Sequence, residues 1–427
     1  MPAFKRFNEQ LAGQAIAALL LGARTAPFRK GRAAERNQGR RVKKDKPGVL
    51  HKKEADARVR RSAPNVAGKQ TLAEILSQPD TWIKTGAQFG QNDTLAKVLR
   101  HFSREGPWLF VACGSSYYLS RTIAAQWTKL LGVTCNAVPA SELLFAPFET
   151  LKRTGARQVV LVSRSGKTTE VLRAADWLKT REQIRTLGVT CNDNSVLNEL
   201  CTLTLKLPWA DEQSMVMTRS FTSILILFQR LGARHASDSA LAAALDRLPQ
   251  KTMKWLGVNA DKIRSFAAQR QYANYVFLGQ GAHYWLAQEA ALKMTEMSSS
   301  YAQGYHTLEF RHGPKSIAGH ETMITFLLSD AAEAEESLLI GELKKLGATT
   351  MVVVNHTTPA LRRESDLLVE LGMDEPEYAR MALTSIPAQL LGLEVGLRKG
   401  LNPDVPKNLS RAVVLGANGA PEKRRRA

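Results

Sequence analysis

An internal repeat of alternating strand and helix patterns constrains the fold of this 427-residue chain more than any other feature. The segment PWLFVACGSSYYLSRTIAAQWTK at 107–129 aligns with NYVFLGQGAHYWLAQEAALKMTE at 274–296, and residues 159–192 align with residues 324–355. In each copy, short apolar runs alternate with longer segments of helical periodicity, a pattern typical of parallel strands joined by helices that cover both faces of the sheet. The sequence therefore predicts two copies of one α/β unit, joined near residues 236–262.

Two hydroxyl-rich loops follow strands of the first copy, and both lead into predicted helices. They are CGSS at 113–116 and SRSGKT at 163–168. Ligands of open parallel sheets lie beyond the carboxyl ends of the strands, and a helix N-terminus offers an anion unpaired N–H groups and a positive dipole end. Gly114 and Gly166 let the backbone approach a ligand closely. We expect the loops to hold a phosphate monoester; the alternative is that their hydroxyls only cap the helices.

The second copy has different chemistry at the same loops. It carries GQGAHY and SDAAEAEE, so small residues and carboxylates replace hydroxyls and positive charge. Because carboxylates repel a phosphate, the repeat predicts one anion site per chain. GQGAHY lacks the third glycine of a dinucleotide fingerprint, and SRSGKT lacks the GxxxxGK spacing of a P-loop.

The other concentration of reactive groups is AQEAALKMTEMSSSYAQGYHTLEFRHGPKSI, at 287–317. Glu289, Lys293 and Glu296 have helical spacing that places them on one face. A carboxylate beside a lysine can carry a proton, although the same pattern also fits a solvated, ion-paired surface. His312 precedes Gly-Pro, at a predicted rigid turn, where a histidine can perform acid–base chemistry near neutral pH.

These motifs together resemble the sugar isomerase (SIS) domain family. CGSS, SRSGKT, MTRSFT, EAALKMTE and FRHGP occur in the family's order and spacing over about residues 66–415. The chain looks similar to the double-SIS isomerase half of glucosamine-6-phosphate synthase and to the galactosamine-6-phosphate deaminase/tagatose-6-phosphate isomerase group. The resemblance implies two tandem SIS domains, each a parallel sheet flanked by helices in a flavodoxin-like three-layer sandwich.

The resemblance also implies which residues bind the substrate. The positions that match the family's phosphate-binding loops are Gly114, Ser115, Ser116, Ser163, Arg164, Ser165 and Thr168. Thr218, in MTRSFT, matches a position of the substrate pocket. No metal or other cofactor is implied.

The catalytic positions are carried over in the same way. Glu296 matches the carboxylate that moves a proton between C1 and C2, and Lys293 matches a cation near the open-chain substrate. His312 matches the histidine that assists ring opening, often from a neighbouring subunit, so we expect a homodimer or a higher homo-oligomer. Arg411 stands where the family has a lysine, and it cannot form a Schiff base as lysine can.

The expected function is that of an amino-sugar-phosphate deaminase/isomerase. Galactosamine 6-phosphate to tagatose 6-phosphate is the favoured reaction, and plain aldose–ketose isomerisation or glucosamine-6-phosphate deamination are alternatives. Glutamine-dependent synthesis is not expected, because the first cysteine is Cys113, inside a loop of the fold. An alternative of another class is a regulator that senses a phosphosugar.

The chain ends differ from the repeat. Residues 1–61 hold 17 Lys or Arg and five Asp or Glu, which accounts for +12 of the net charge of +20. Residues 1–65 are therefore expected to be a disordered basic extension that is dispensable, with non-specific nucleic-acid binding or targeting as alternatives. The expected domains are 66–240, with the phosphosugar site, and 241–415, with the catalytic Glu and His, followed by a basic tail at 416–427.

The remaining composition predicts the compartment. The four cysteines form no CxxC pair, which favours reduced thiols and a cytoplasmic protein. No apolar run approaches the roughly 20 residues that span a bilayer, so no membrane partner is expected.

Overall fold

The computed structural model describes residues 66–90, 93–181 and 183–415. The expectations for residues 1–65 and 416–427 lie outside these residues. Three helices precede the first sheet: α1 (Lys69–Leu76), α2 (Gln78–Gly90) and α3 (Asp93–His101). The rest of the first half consists of β1 (Trp108–Ala112), α4 (Ser115–Leu131), β2 (Cys135–Pro139), α5 (Ala140–Phe145), α6 (Pro147–Thr154), β3 (Gln158–Val162), α7 (Thr169–Lys179), β4 (Arg185–Thr190), α8 (Leu197–Leu200), β5 (Leu203–Lys206) and α9 (Arg219–Ala236).

The second half repeats this succession after a long helix. Its elements are α10 (Ser239–Ala267), β6 (Asn274–Gly279), α11 (Ala282–Ser298), β7 (Tyr301–His306), β8 (Thr322–Leu327), α12 (Glu333–Lys345), β9 (Thr349–Val354), α13 (Pro359–Glu364), β10 (Leu367–Glu370), α14 (Glu377–Thr384) and α15 (Ile386–Arg398). Short 3-10 turns at Glu309–Arg311 and Pro314–Ile317 lie between β7 and β8.

Both halves contain the same five-stranded parallel sheet. The strand order is β2-β1-β3-β4-β5 in the first and β7-β6-β8-β9-β10 in the second, so each follows the 2-1-3-4-5 order of flavodoxin-like folds. Helices cover both faces of each sheet. The predicted repeat and fold class are confirmed; the edge strands β2 and β7 were not predicted from the sequence.

One apolar core runs through both halves. It includes Trp127 of α4, Phe228 of α9, Met294 of α11 and Leu390 of α15, all at most 1% exposed. Helix α11 packs against α4 and α15, so elements of both halves meet along it. Each sheet also has one smaller apolar cluster, which lies under its outer helices. The packing of α4 against α11 brings loops of the first half beside side chains of the second.

Within the described residues, every helix is too short or too polar to cross a bilayer.

Candidate functional site

The two hydroxyl-rich loops of the first half lie side by side. Strands β1 and β3 are neighbours, and the last residue of β1, Ala112, pairs with the last residue of β3, Val162. CGSS therefore leaves the sheet next to SRSGKT, as parallel strand ends require. We call these two loops, residues 113–116 and 163–168, the cradle.

Two glycines shape the cradle. Gly114 has φ 57° and lies directly before α4, which begins with Ser115 and Ser116, both buried. Gly166 has φ 63°, and a Cβ at this position would collide with the Ser195 side chain. Only glycine fits this backbone without strain, so the tight course of the second loop depends on residue 166.

The cradle hydroxyls have few protein partners. Ser163 Oγ donates to Thr168 Oγ1 at 3.0 Å, and Ser165 Oγ accepts the N–H of Lys167 at 3.2 Å. Ser116 Oγ lies 3.6 Å from the Met217 sulfur, a weak acceptor. These contacts leave hydrogen-bonding capacity for a ligand.

Thr218 lies beside this group, at the start of α9. Its side-chain hydroxyl is buried and has no hydrogen-bond partner among the described residues. A buried hydroxyl of this kind normally has a partner, which is consistent with a position that contacts a ligand.

The Arg164 side chain is directed into the protein wall. It is 5% exposed; its Nη1 lies 2.8 Å from Glu212 Oε2, and its Nη2 donates to the carbonyls of Met215 and Arg411. The other Glu212 oxygen accepts the N–H groups of Thr218 at 2.9 Å and Ser220 at 2.8 Å. The buried pair thus fixes the start of α9 against the second cradle loop.

The C-terminal segment closes one side of the same loop. The Arg411 guanidinium lies 2.6 Å from Asp211 Oδ2 and also contacts the Glu212 carbonyl. Farther along, the N–H of Thr169 donates to the Val413 carbonyl at 3.1 Å, and the N–H of Leu415 donates to Thr169 Oγ1 at 2.9 Å. Arg411 therefore attaches this segment to the wall of the site through its side chain.

Glu289, Lys293 and Glu296 form a compact trio on α11. Lys293 Nζ lies 3.5 Å from Glu289 Oε1 and hydrogen-bonds Glu296 Oε2. Glu289 is 3% exposed and Lys293 1%, while the Glu296 side chain is 19% exposed. The alternative of a solvated surface is wrong: the trio is buried, and only Glu296 has appreciable access to solvent.

Burial perturbs the pKa values of the trio. It raises the pKa of Glu289 to about 8, and the nearby Lys293 ammonium offsets this only in part. Burial lowers the pKa of Lys293, but the two carboxylates outweigh it, so this pKa lies above its ordinary value. Near neutral pH, Glu289 is thus largely a neutral acid beside a Lys293 ammonium.

The cradle and the trio meet where α4 packs against α11. The Ser115 side chain lies beside Glu289, and Arg164 is near enough to Lys293 to oppose its charge. One edge of this site thus offers hydroxyls and a helix N-terminus, and the other offers an ammonium and two carboxyl groups. Such an arrangement can hold an anion at one end of a molecule and move protons at the other.

His312 lies on the surface of the second half, after β7. It is exposed and follows the 3-10 turn Glu309–Arg311, and its backbone N–H donates to the Glu309 carbonyl at 3.0 Å. Among the described residues, no hydrogen bond or ion pair joins its ring to Glu296 or to the cradle.

The sequence analysis did not assign roles to Glu212 or Glu289. Glu289 was visible as part of a helical face, whereas only the fold shows that it is buried against the cradle. Nearby, burial raises the pKa of Cys113 to about 11, so its thiol stays protonated at neutral pH. In the part of the chain that the structure describes, no group of three or more His, Cys, Asp or Glu residues could hold a metal ion.

Known proteins share this fold and sequence pattern. A glutamine–fructose-6-phosphate aminotransferase (isomerizing) of Methanothermobacter thermautotrophicus is 27% identical over 346 residues, which are 81% of this chain and 57% of that protein. The glucosamine-6-phosphate deaminase structure from Thermotoga maritima is 30% identical, with a TM-score of 0.66, and covers 81% of this chain and 100% of its own.

A second solved structure supports the fold alone. The tagatose-6-phosphate ketose/aldose isomerase from Escherichia coli is 20% identical, with a TM-score of 0.70, over 81% of this chain and 98% of its own. The family model of the SIS domain matches residues 101–234 and 270–396, one match for each sheet. The chain belongs to the SIS domain family.

Proposed function

We propose that the protein is a phosphosugar isomerase that deaminates a 6-phosphorylated hexosamine to the ketose phosphate and ammonia. The observation that carries this proposal is the contact between the cradle and the buried trio on α11. A phosphate at one end and an acid–base pair at the other match the two ends of a hexosamine phosphate.

The cradle would bind the phosphate. Hydroxyls of Ser116, Ser163, Ser165 and Thr168 supply donors without bulk, and α4 begins in the cradle at Ser115, so its first N–H groups can add donors. The Arg164 guanidinium contributes indirectly, because it fixes the wall beside the cradle.

The trio would carry out the proton transfer. Ring opening moves the proton of the C1 hydroxyl to the ring oxygen and leaves an aldehyde at C1. Glu296 takes the proton from C2; the electron pair forms the C1–C2 double bond, and the C1 oxygen gains a proton. Return of a proton to C1, with loss of one from nitrogen, leaves an imine at C2 that water hydrolyses to the ketone and ammonia.

Lys293 supports this step electrostatically. Its ammonium contacts Glu296 and is held in a buried site, where it can stabilise negative charge that develops on the C1 oxygen. Neutral Glu289 beside it leaves that positive charge available, because the lysine then has only one ionised partner.

His312 would serve ring opening in a second copy of the chain. Its exposed position supports this proposal, as does the lack of a hydrogen bond or ion pair between its ring and Glu296 among the described residues. A homodimer would then contain two composite sites related by the two-fold axis.

Glucosamine 6-phosphate is the first substrate to test. The 30% identical relative is named a glucosamine-6-phosphate deaminase, whereas the structure named for tagatose 6-phosphate is only 20% identical. Galactosamine 6-phosphate, which the sequence favoured, is the matched alternative, since the two sugars differ only in configuration at C4.

The test is ammonia release from the full chain with each sugar in parallel. Ammonia from either one supports the proposal and identifies the sugar. The Ser163→Ala/Ser165→Ala variant should raise KM at least tenfold, because it removes two donors to the phosphate. No ammonia from either sugar, with binding retained, would refute deamination and leave a plain isomerase or a phosphosugar sensor.

A further inference from the structure

The second half has its own pocket at the position that corresponds to the cradle. Strands β6 and β8 are neighbours, and the loops that follow them, residues 280–281 and 328–332, lead into α11 and α12. Gly281 has φ 58° and ψ −124°, nearly the values of Gly114, 57° and −133°. A cavity of about 250 Å³ lies here, and we call it the repeat pocket.

The repeat pocket has different residue types from the cradle at the matching positions. Because α4 begins at Ser115 and α11 at Ala282, His283 occupies the position of Ser116. The second loop, Ser329–Ala332, contains an aspartate and two alanines and lacks the arginine and lysine of the cradle. A phosphate would meet carboxylates here and lose its hydroxyl donors.

The pocket holds acceptors that have spare capacity for a donor. Among the described residues, the Gln280 Oε1 atom is buried without a partner. The His283 side chain is 4% exposed. Glu377 Oε1 lies 3.8 Å from His283 Nδ1 and accepts only the Asp330 N–H, at 2.8 Å. Burial lowers the pKa of His283, so its ring is neutral at pH 7 and offers one acceptor nitrogen.

Carboxylates at the pocket offset the positive N-terminal ends of α11 and α12. Glu377, the first residue of α14, lines the pocket. Asp330 and Glu333 lie just before and at the start of α12, and Arg380 is paired with Asp330. Lys129, at the opposite rim, is exposed, so solvent screens its charge. An ammonium group offers three N–H donors, which matches the acceptors on Gln280, His283 and Glu377.

We propose that the repeat pocket binds a small hydroxylated primary amine without a phosphate group, such as an unphosphorylated amino sugar. Its ammonium lies between Gln280, His283 and Glu377. Its hydroxyls face Gln126 and the rim. This pocket is a separate site from the trio: along α11, Ala282 is about 16 Å from Lys293 at about 1.5 Å per residue.

The test is calorimetric titration of the full chain with glucosamine, and with glucose as the probe that lacks the amine. Glucosamine should bind at millimolar concentrations or below, glucose at least tenfold more weakly. Glu377→Gln should weaken glucosamine binding at least tenfold and leave the rate of ammonia release from the phosphorylated sugar unchanged. The Ser163→Ala/Ser165→Ala variant should slow ammonia release from the phosphorylated sugar and leave glucosamine binding unchanged.

A second variant guards against misfolding of Glu377→Gln. Ala332→Leu fills the pocket without a change in charge and should also abolish glucosamine binding, with Tm checked for both variants. Equal binding of glucose and glucosamine, no binding of either, or unaltered glucosamine binding in both variants would overturn the proposal. Binding lost only in the cradle variant would place the amine in the first site and overturn it too. Since the titration does not require turnover, its failure is distinguishable from failure of the proposed reaction.

Discussion

Replacement of Glu289 by Gln should change how stability depends on pH. The carboxyl group is 3% exposed, and burial raises its pKa from an ordinary 4.5 to about 8. Between these two values the native state keeps a proton that the unfolded chain has released. Stability is therefore lost as pH rises from 4.5 to about 8.

The size of the effect follows from the pKa. Each pH unit within this window removes about 1.4 kcal/mol from the free energy of unfolding. Between pH 5.5 and 7.5 the wild type therefore loses roughly 3 kcal/mol through this one group. Gln is close in shape to the neutral acid and has no proton to lose, so the variant should gain roughly 3 kcal/mol relative to wild type over the same range.

Urea unfolding followed by tryptophan fluorescence at pH 5.5, 6.5 and 7.5 measures this difference. Glu321→Gln is the control, because that side chain is 68% exposed. Its curve should run parallel to that of the wild type. If the Glu289→Gln curve also ran parallel to wild type, Glu289 would not retain its proton and our account of the trio would be wrong.

Three further predictions concern the frame of the site and its assembly. Glu212→Gln, which breaks the buried pair with Arg164, should cost about 3–5 kcal/mol of unfolding free energy, and a loss below about 1 kcal/mol in urea titration would contradict a structural role. Gly166→Ala should raise KM for the phosphosugar more than kcat falls, because it distorts the cradle; steady-state kinetics with unaltered KM would remove this loop from phosphate binding. Glu296→Gln and His312→Ala, each inactive alone, should regain about a quarter of wild-type activity when co-expressed, since half of the dimers are mixed and each has one intact site. No recovery in that assay would place His312 in its own chain's site, and an active His312→Ala variant would place His312 outside the mechanism.

The fold was predictable because local apolar patterns in the sequence indicate both the repeat and the alternation of strands and helices. The central strands consist almost entirely of buried apolar residues, so their periodicity is strong. The edge strands are different: β7, YAQGYH, is polar and partly exposed, and β2 ends in proline. Nothing in such segments separates them from loops until a neighbouring strand pairs with them.

The site was predictable only in part. Helical spacing placed Glu289, Lys293 and Glu296 on one face, but spacing alone cannot tell a buried face from a solvated one. The pairing of Arg164 with Glu212 joins residues 48 positions apart, and it depends on the path of the chain between β5 and α9. The repeat pocket depends on contacts between the two halves, which no local pattern encodes.

The central claim is that Glu296 moves the proton of a bound phosphosugar, and steady-state kinetics of Glu296→Gln test it most directly. The matched control is Glu309→Gln, an exposed carboxylate in the same half. On the sugar that the wild type deaminates, we predict that kcat falls by about 10²–10⁴ in Glu296→Gln, with KM within about threefold, and that the control keeps wild-type values. Wild-type kcat in Glu296→Gln would contradict the account.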